Sequence, residues 1–189
     1  MIIDRIRISI ARAREIRNLE RQVAASPRAR ACNIHQLSYD CAIWRIPVSG
    51  QADRYMSASA GYSGKETFVV HVDANAFYLA WLRSGSDKHC VLRSQMPSDY
   101  KYAYAVDGFA EGSSNPVPLA EVGAWNDDRG RTHIGFTNGI TRSFWLISND
   151  APSFPVQVYG YESAELLNRT AGTPQGMICY TDLFAQTNL

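Results

Sequence analysis

The sequence lacks any apolar run long enough to cross a membrane. A transmembrane helix needs about 18 to 20 consecutive apolar residues, and no stretch of the 189 residues meets that requirement. Charged residues also interrupt the apolar positions at the N-terminus, whereas a secretory signal needs an unbroken apolar centre and a small-residue cleavage site. We therefore expect a cytoplasmic protein without a membrane-spanning segment.

The sequence also lacks paired metal ligands. Zinc sites usually need ligands in closely spaced pairs that can complete one tetrahedron. The cysteines stand far apart without any C-x-x-C motif, and the histidines are equally isolated. We therefore expect reduced thiols and no metal cage. The residues concerned are Cys32, Cys41, Cys90 and Cys179, together with His35, His71, His89 and His133.

Internal repeats and low-complexity tracts are absent as well. Hydrophobic residues make up 46% of the chain and charged residues 20%, a balance that excludes a fully disordered protein. A chain of 189 residues fits one domain whose core needs no disulfide or metal for stability. We predict an α+β fold with a small mixed sheet, helices packed against it and a basic helical arm at the N-terminus.

The net charge of +1 is unevenly distributed. Residues 1–31 hold eight arginines and three acidic residues, a local charge of +5 that leaves −4 for the rest. We divide the chain into this basic arm and a single domain at 32–189. The arm suits contact with nucleic-acid phosphates or an acidic surface, or it is a solvated helix that packs on the body through Ile16 and Leu19. The arginines expected to contact DNA are Arg12, Arg14, Arg17 and Arg21.

Apolar periodicity and capping residues predict the elements of the domain. Asp73 is placed to cap a helix, because its side chain can accept a free backbone N–H. Residues 98–110 fit a helix or a strand with alternating tyrosines, and we favour the helix. Residues 49–65, rich in glycine, serine and alanine, are predicted to be a loop. The other predicted helices cover 8–25, the segment through Trp145 and 162–169, and the predicted strands cover 41–48, 65–72, 117–125, 132–136, 155–159 and 176–180.

Two glycine-led segments carry the candidate chemistry, G-S-S-N-P-V at 112–117 and N-G-I-T-R-S at 138–143. Glycine lets the backbone turn tightly beside a ligand, and a helix start presents free N–H groups and the positive end of the dipole. Arg142 adds a planar cation that suits phosphate oxygens. The sequence therefore predicts an anion site. Its predicted nucleotide-binding residues are Gly112, Ser113, Ser114, Asn115, Asn138, Gly139, Thr141, Arg142 and Ser143.

The order of these motifs resembles the ParB/sulfiredoxin superfamily over about residues 66–170. The segment 112–117 matches the G-x-x-Q-P-[IV] box of ParB proteins with asparagine at the glutamine position. The segment 139–142 matches the two ends of their G-E-R-R box. The resemblance implies that both segments hold nucleotide phosphates.

A third segment, 164–169, resembles the ParB helix with the pattern E-N-[LI]-Q-R. This resemblance implies that Glu165, Asn168 and Arg169 help to hold Mg²⁺ and a triphosphate. The alternative, which we favour, is that Glu165 and Arg169 form an i, i+4 pair on a helix surface.

Two departures from the superfamily limit its implications. Ile140 stands where sulfiredoxins have their catalytic cysteine, and reduction of a sulfinic acid needs that thiolate. Sulfiredoxin activity is therefore excluded. The chain also ends about twenty residues after Arg169, without a helix-turn-helix region, so ParB-type binding of a partition sequence is not expected.

Within the superfamily, the chain length and the run at 108–120 are most similar to plasmid fertility inhibition factors. This resemblance implies a plasmid protein that blocks DNA export through type IV secretion by nucleotide hydrolysis and DNA cleavage. ATP or another nucleoside triphosphate and Mg²⁺ are the implied cofactors. The implied partners are DNA and the secretion coupling protein or the transferred nucleoprotein complex, which would bring the protein to the inner face of the inner membrane.

Hydrolysis needs Arg142 to neutralise phosphoryl charge and a carboxylate to orient water, alone or with Mg²⁺. Glu111 adjoins the first segment and Glu121 lies in the strand after it, so these are the candidate catalytic carboxylates. The lack of an unambiguous carboxylate pair favours an alternative, a non-catalytic inhibitor that acts through the arm or an exposed aromatic patch. A nucleotide-operated structural switch is a third possibility. The tyrosines at 100, 102 and 104 either stack on bases or, as we prefer, pack against the body.

Overall fold

The computed structural model describes residues 2–61, 66–85 and 89–185. These residues form the predicted α+β fold. The strands are β1 (Asn33–Leu37), β2 (Cys41–Ile46), β3 (Arg54–Ser59), β4 (Thr67–Asp73), β5 (Val117–Pro118), β6 (Ala120–Asn126), β7 (Thr132–Asn138), β8 (Ser153–Tyr159) and β9 (Gly172–Cys179). The helices are α1 (Ile2–Ala25), α2 (Ala74–Ser84), α3 (Tyr102–Ala110), α4 (Ile140–Ser148), α5 (Tyr161–Ala171) and α6 (Tyr180–Ala185), with 3-10 turns at Arg93–Ser98 and Gly112–Ser114.

The strands form two sheets rather than the one small sheet that we predicted. The first sheet has the order β1-β2-β3-β5 and is antiparallel except for the short β3–β5 pair. The second has the order β7-β6-β8-β4-β9, in which β6 and β8 run parallel and the other pairs antiparallel. Leu119 alone separates β5 from β6, so one continuous segment passes from the first sheet to the second.

Most predicted elements are confirmed, with ends that differ by a few residues. The clear error is the predicted loop 49–65, whose described part contains β3. Met56 and Ala58 are buried while their neighbours in β3 are more exposed, which is the pattern of a strand with one buried face. The side chains of residues 49–65 are mostly small, so pairing of β3 with β2 decides the structure of this segment more than its own apolar pattern does.

The basic N-terminal segment is a helix, as predicted, and it is docked on the body. α1 packs against α2, and Leu19 is buried in the core. The Arg12 guanidinium donates hydrogen bonds to the carbonyl oxygens of Leu82, at 2.6 Å, and Cys90, at 3.4 Å. The prediction that Arg12 contacts DNA is therefore corrected, because this side chain binds the body near the C-terminal end of α2. The other three arginines of that prediction are exposed: Arg14, Arg17 and Arg21.

Asp73 holds two parts of the chain together. Its Oδ1 accepts the N–H of Ala76 at 2.9 Å, which confirms the predicted helix cap. Its Oδ2 accepts the N–H of Ala29 at 2.8 Å, and Arg28 donates to the carbonyl of Thr170 at 3.0 Å. These contacts join the segment after α1 to the body, so the predicted boundary between residues 31 and 32 separates no structural units.

The core surrounds β4, the second strand from one edge of the five-stranded sheet. Residues 67–72 of β4 are all buried. Phe77 and Trp81 of α2 pack against Phe136 of β7 in edge-on and tilted contacts. Among the described residues, no helix is long and apolar enough to span a bilayer. The four cysteines carry free thiols.

His71 is a titratable group buried in this core, with 8% of its surface exposed. The backbone N–H of Cys32 donates to His71 Nδ1 at 3.2 Å, and the ring lies edge-on to Trp44. Burial lowers the pKa of His71 from 6.5 to about 4. The folded protein therefore holds this imidazole neutral at pH values where an exposed histidine is charged.

We expect the free energy of unfolding to fall as the pH decreases from 6.5 towards 4. In this window the unfolded chain binds a proton at His71 that the folded chain excludes, and the loss reaches about 3 kcal/mol. Urea unfolding at about pH 7.5 and about pH 4.5 measures the difference. The variant His71→Gln, which does not titrate and can still accept the Cys32 N–H, should show a smaller difference. Equal pH dependence in the two proteins would contradict this expectation.

Candidate functional site

One cleft brings the two glycine-led segments together. It has a volume of about 960 Å³ and lies where the start of α4 and the β7 edge of the five-stranded sheet face α3. Residues 115–117 line it from the first segment, Pro118 follows them directly, and residues 138–142 line it from the second. The other lining residues are His89, Asp99, Tyr100, Lys101, Tyr104, Ala105, Gly108, Trp125, Gly135, Phe136 and Thr137.

Gly139 makes the turn from β7 into α4 possible. Its φ of 84° lies in the left-handed region that favours glycine. A Cβ there would lie 2.8 Å from the Ala120 Cα and 2.6 Å from the Arg142 Nε. Absence of a side chain therefore lets α4 begin directly against β6. The first turn of α4 also lines the cleft, and its leading N–H groups, those of Ile140, Thr141 and Arg142, have no partner within the helix.

Arg142 connects the two segments through its side chain. Its Nη1 donates hydrogen bonds to the carbonyl oxygens of Pro118, at 2.5 Å, and Leu119, at 3.0 Å. Burial lowers the pKa of the guanidinium, and the nearby Glu121 carboxylate opposes that shift. Arg142 also lines the cleft. One side chain thus stabilises the β5–β6 junction and borders the space at the start of α4.

Four of the predicted nucleotide-binding residues lie outside the lining of the cleft. Ser143 is fully buried, and its hydroxyl donates to the Gly139 carbonyl at 3.4 Å, so its predicted contact with a ligand is corrected. Residues 112–114 form the 3-10 turn after α3, where the Ser114 hydroxyl donates to the Glu111 carbonyl at 2.8 Å. Gly112, Ser113 and Ser114 directly precede the lining residue Asn115, and their contact with a nucleotide stays a prediction. The predicted residues that do line the cleft are Asn115, Asn138, Gly139, Thr141 and Arg142.

Neither predicted catalytic carboxylate lines the cleft. Glu111 is exposed, and its carboxylate accepts a hydrogen bond from the side-chain amide of Asn115. Glu121 is partly buried in β6, and its negative charge favours the charged form of Arg142, which lines the cleft. Asp99 is the acidic residue in the lining. Sequence analysis missed it because a Ser-Asp pair before a helix indicates a cap, and Asp99 does accept the N–H of Lys101 at 2.9 Å.

The third predicted segment, on α5, does not reach the cleft. α5 packs against β4, β6, β9 and α2. Glu165 and Arg169 are exposed, and Asn168 packs closely against the backbone of Gly172. Their role in holding Mg²⁺ and a triphosphate stays a prediction from the resemblance, and these residues lie outside the lining of the cleft. Among the residues that the structure describes, no group of three or more His, Cys, Asp or Glu is placed to hold a metal ion, and Mg²⁺ stays a prediction from the resemblance.

Aromatic side chains form a further part of the lining. Tyr100 and Tyr104 are 82% and 74% exposed, so the expectation that they pack against the body is wrong. That expectation holds for Tyr102, which is partly buried and hydrogen-bonded to the Ser148 hydroxyl at 2.7 Å. Trp125 of β6 also lines the cleft. Trp125 lies four residues after Glu121, on the side of β6 opposite buried Val122 and Ala124, and this alternation was the sequence signal for its position.

We expect Gly139→Ala to destabilise the protein much more than Gly112→Ala. Both glycines have positive φ, so each alanine costs about 1 to 2 kcal/mol in backbone strain. The Gly112 Cβ would meet no atom within 4 Å, whereas the Gly139 Cβ would overlap the Ala120 backbone and add about 1 to 3 kcal/mol. Urea unfolding of the two variants measures the difference. Equal losses would show that the close contact with β6 does not constrain α4.

Comparison with known proteins agrees with the sequence resemblance. Residues 69–172 match the family model "PFIN: Plasmid Fertility inhibition factor". The chain is 35% identical over 163 residues to "Protein osa" of Shigella flexneri, a match that covers 84% of each protein. It also matches the crystal structure of the gold(I) cyanide derivative of Oncogenic Suppression Activity Protein, described as a plasmid fertility inhibition factor. That match has a TM-score of 0.86 and 32% identity, and it covers 97% of each chain. The chain therefore belongs to the plasmid fertility inhibition factor family.

Proposed function

We propose that the protein blocks DNA transfer through type IV secretion by hydrolysing a nucleoside triphosphate, such as ATP, and by cleaving DNA at this cleft. The observation that supports the proposal is the meeting of residues 115–118 and 138–142 at Arg142. Both reactions attack a phosphorus atom, and both need stabilisation of charge on phosphoryl oxygens. One anion site can therefore serve both. The protein would act in the cytoplasm on DNA and on the coupling protein or the transferred nucleoprotein complex.

The lining supplies most groups that such a reaction needs. The first turn of α4 offers N–H donors and the positive end of its dipole to phosphate oxygens. Thr141 adds a hydroxyl and Arg142 a permanent cation. A carboxylate orients the attacking water, and Asp99 replaces Glu111 and Glu121 as the candidate. Mg²⁺ supplies charge neutralisation when bound with a triphosphate, and Asp99 is the lining carboxylate that would hold it.

We expect Arg142→Ala to lower ATP turnover and DNA cleavage together by about 100-fold or more. Removal of one preorganised donor to a developing oxyanion has an effect of about that size. Arg142→Ala also removes two hydrogen bonds to the β5–β6 junction, which could destabilise the protein. Arg142→Lys, which keeps the positive charge, is therefore measured as well, and the unfolding curves of both variants are compared with that of the wild-type protein. Phosphate release from ATP and loss of intact plasmid DNA, each with and without Mg²⁺, are the two measurements.

Arg169→Ala is the matched control, because it removes an exposed arginine that does not line the cleft. Both rates should be unchanged in this variant. Loss of turnover in Arg169→Ala with retention in Arg142→Ala would move the site to α5. Absence of turnover in the wild-type protein, with transfer inhibition intact in cells, would overturn the catalytic proposal.

A second candidate function is non-catalytic inhibition through α1. Arg14, Arg17 and Arg21 are exposed at i, i+3 and i+7, the spacing of one helix face. The Glu20 carboxylate forms an ion pair with Arg83 of α2 at 2.6 Å, so its negative charge is directed to α2 rather than to these three arginines. This basic face suits DNA phosphates or an acidic surface of the coupling ATPase.

We expect replacement of Arg14, Arg17 and Arg21 by glutamine to weaken DNA binding by the same factor whatever the DNA sequence. Each lost phosphate contact lowers the slope of log affinity against log salt by about 1, so the triple variant should lose about 3. Titrations of labelled DNA at several salt concentrations measure this slope. Loss of transfer inhibition with normal ATP turnover would favour α1 as the inhibitory surface, and an unchanged slope would exclude it as a DNA contact. Deletion of α1 is a poorer test because it removes Leu19 from the core.

A further inference from the structure

Trp125 is an exposed tryptophan on the wall of the cleft. It is 47% exposed, whereas the other three tryptophans of the chain, Trp44, Trp81 and Trp145, are 1%, 0% and 4% exposed. A large aromatic side chain at the surface lacks the stabilisation that burial gives the other three. Trp125 lines the same cleft as the start of α4.

The indole of Trp125 is held in place by its neighbours on β7. Its ring stacks on His133 with a centroid distance of 5.7 Å and an interplanar angle of 18°. It also covers Gly135, where a Cβ would lie 3.0 Å from the Trp125 ring. A side chain at Gly135 would push the indole away, so this glycine makes room for it to lie against β7. Trp125 is therefore a preorganised flat surface rather than a freely rotating side chain.

A polar network at the hairpin turn supports the stacked pair. His133 is 8% exposed, and its Nε2 lies 3.2 Å from the Asp127 Oδ2. Asp127 also binds the Arg131 side chain, at 2.8 Å, and accepts the backbone N–H groups of Arg129 and Arg131. These hydrogen bonds hold the pKa of Asp127 well below its usual range, so the carboxylate stays charged and anchors the imidazole. The hairpin turn thus fixes the ring on which Trp125 rests.

The cleft offers further aromatic and basic groups near α3. Tyr100 and Tyr104 are exposed and line it, and the Lys101 ammonium lies 5.3 Å from the Tyr100 ring. Exposed aromatic faces beside cations are what single-stranded nucleic-acid sites use, because every base has a face that stacks. Bases in a duplex are already stacked and unavailable to such a surface.

The aromatic and anion-binding ends lie at a distance that suits one nucleotide ligand. Asn138, beside the start of α4, pairs with Glu121 on β6, and Trp125 is four residues further along that strand. At about 3.4 Å per residue the two ends are about 14 Å apart. A sugar and a phosphate chain are the parts of a nucleotide that would span this distance.

We infer that Trp125 is a stacking platform for an unpaired nucleobase whose phosphates bind at the start of α4. This inference rests on the proposed function, because it assigns the base-binding part of the same cleft. The base belongs either to a nucleoside triphosphate or to single-stranded DNA, and both present the same flat ring. His133 and Gly135 are positioning residues that hold the platform.

Acrylamide quenching of tryptophan fluorescence reads this site directly, because Trp125 is the exposed tryptophan and Trp125→Phe identifies its contribution. ATP, inorganic tripolyphosphate, an oligo-dT strand and duplex DNA are titrated separately. We expect ATP or oligo-dT to protect Trp125 from acrylamide, and tripolyphosphate and duplex DNA to give no protection. Protection by ATP assigns the base to the nucleotide, and protection by oligo-dT alone assigns it to single-stranded DNA.

Trp125→Ala should weaken binding of the protecting ligand by about 5- to 150-fold and leave tripolyphosphate binding unchanged. Tyr39→Ala, which removes a 73% exposed aromatic outside the cleft, is the matched control and should have no effect. Protection without any turnover would support this inference and overturn the catalytic proposal. Turnover of ATP with no protection of Trp125 by any ligand, or equal weakening of ATP and tripolyphosphate in Trp125→Ala, would overturn this inference.

Discussion

The close approach of Gly139 to Ala120 is the constraint on which the cleft depends. The glycine lets α4 start against β6, where any Cβ would overlap the backbone. Because Leu119 alone separates β5 from β6, this contact lies at the passage between the two sheets. Arg142 then ties the first turn of α4 to the carbonyls of that passage. The two glycine-led segments meet because one backbone contact and one side chain join them.

Arg142 stabilises the β5–β6 junction and, in the proposed function, also contacts the ligand. A guanidinium can do this because its five N–H donors point in fixed directions, and two hydrogen bonds to carbonyls leave others available. Burial disfavours its charged form, while the Glu121 carboxylate favours it. The lining of the cleft contains several hydrogen-bond donors and aromatic rings but one acidic residue, Asp99. It therefore suits ligand binding better than proton transfer. This imbalance is why we propose base recognition at Trp125 and inhibition through α1 beside hydrolysis.

The amino-acid sequence predicted the family, the α+β class and most elements, because these depend on local patterns. Asp73 caps α2 as its position before an apolar helix indicates, and the segments at 112–117 and 138–143 carry recognisable motifs. The errors occurred where local pattern was weak or ambiguous. β3 lies in a segment rich in glycine, serine and alanine and acquires strand structure by pairing with β2. Ser143 matched a phosphate site by residue type but faces the core. Asp99 and Trp125 gave no motif.

By itself, the sequence determined which segments turn, cap and repeat an apolar period, and which motifs the family shares. These properties follow from the preferences of neighbouring residues along the chain. The tertiary structure alone decided that there are two sheets among the described residues, that Arg12 docks α1, and that Glu111, Glu121 and α5 lie outside the lining of the cleft. It also decided that Trp125 rests on His133 above Gly135. Such facts depend on which distant residues come together, and long-range packing, rather than local preference, sets those contacts.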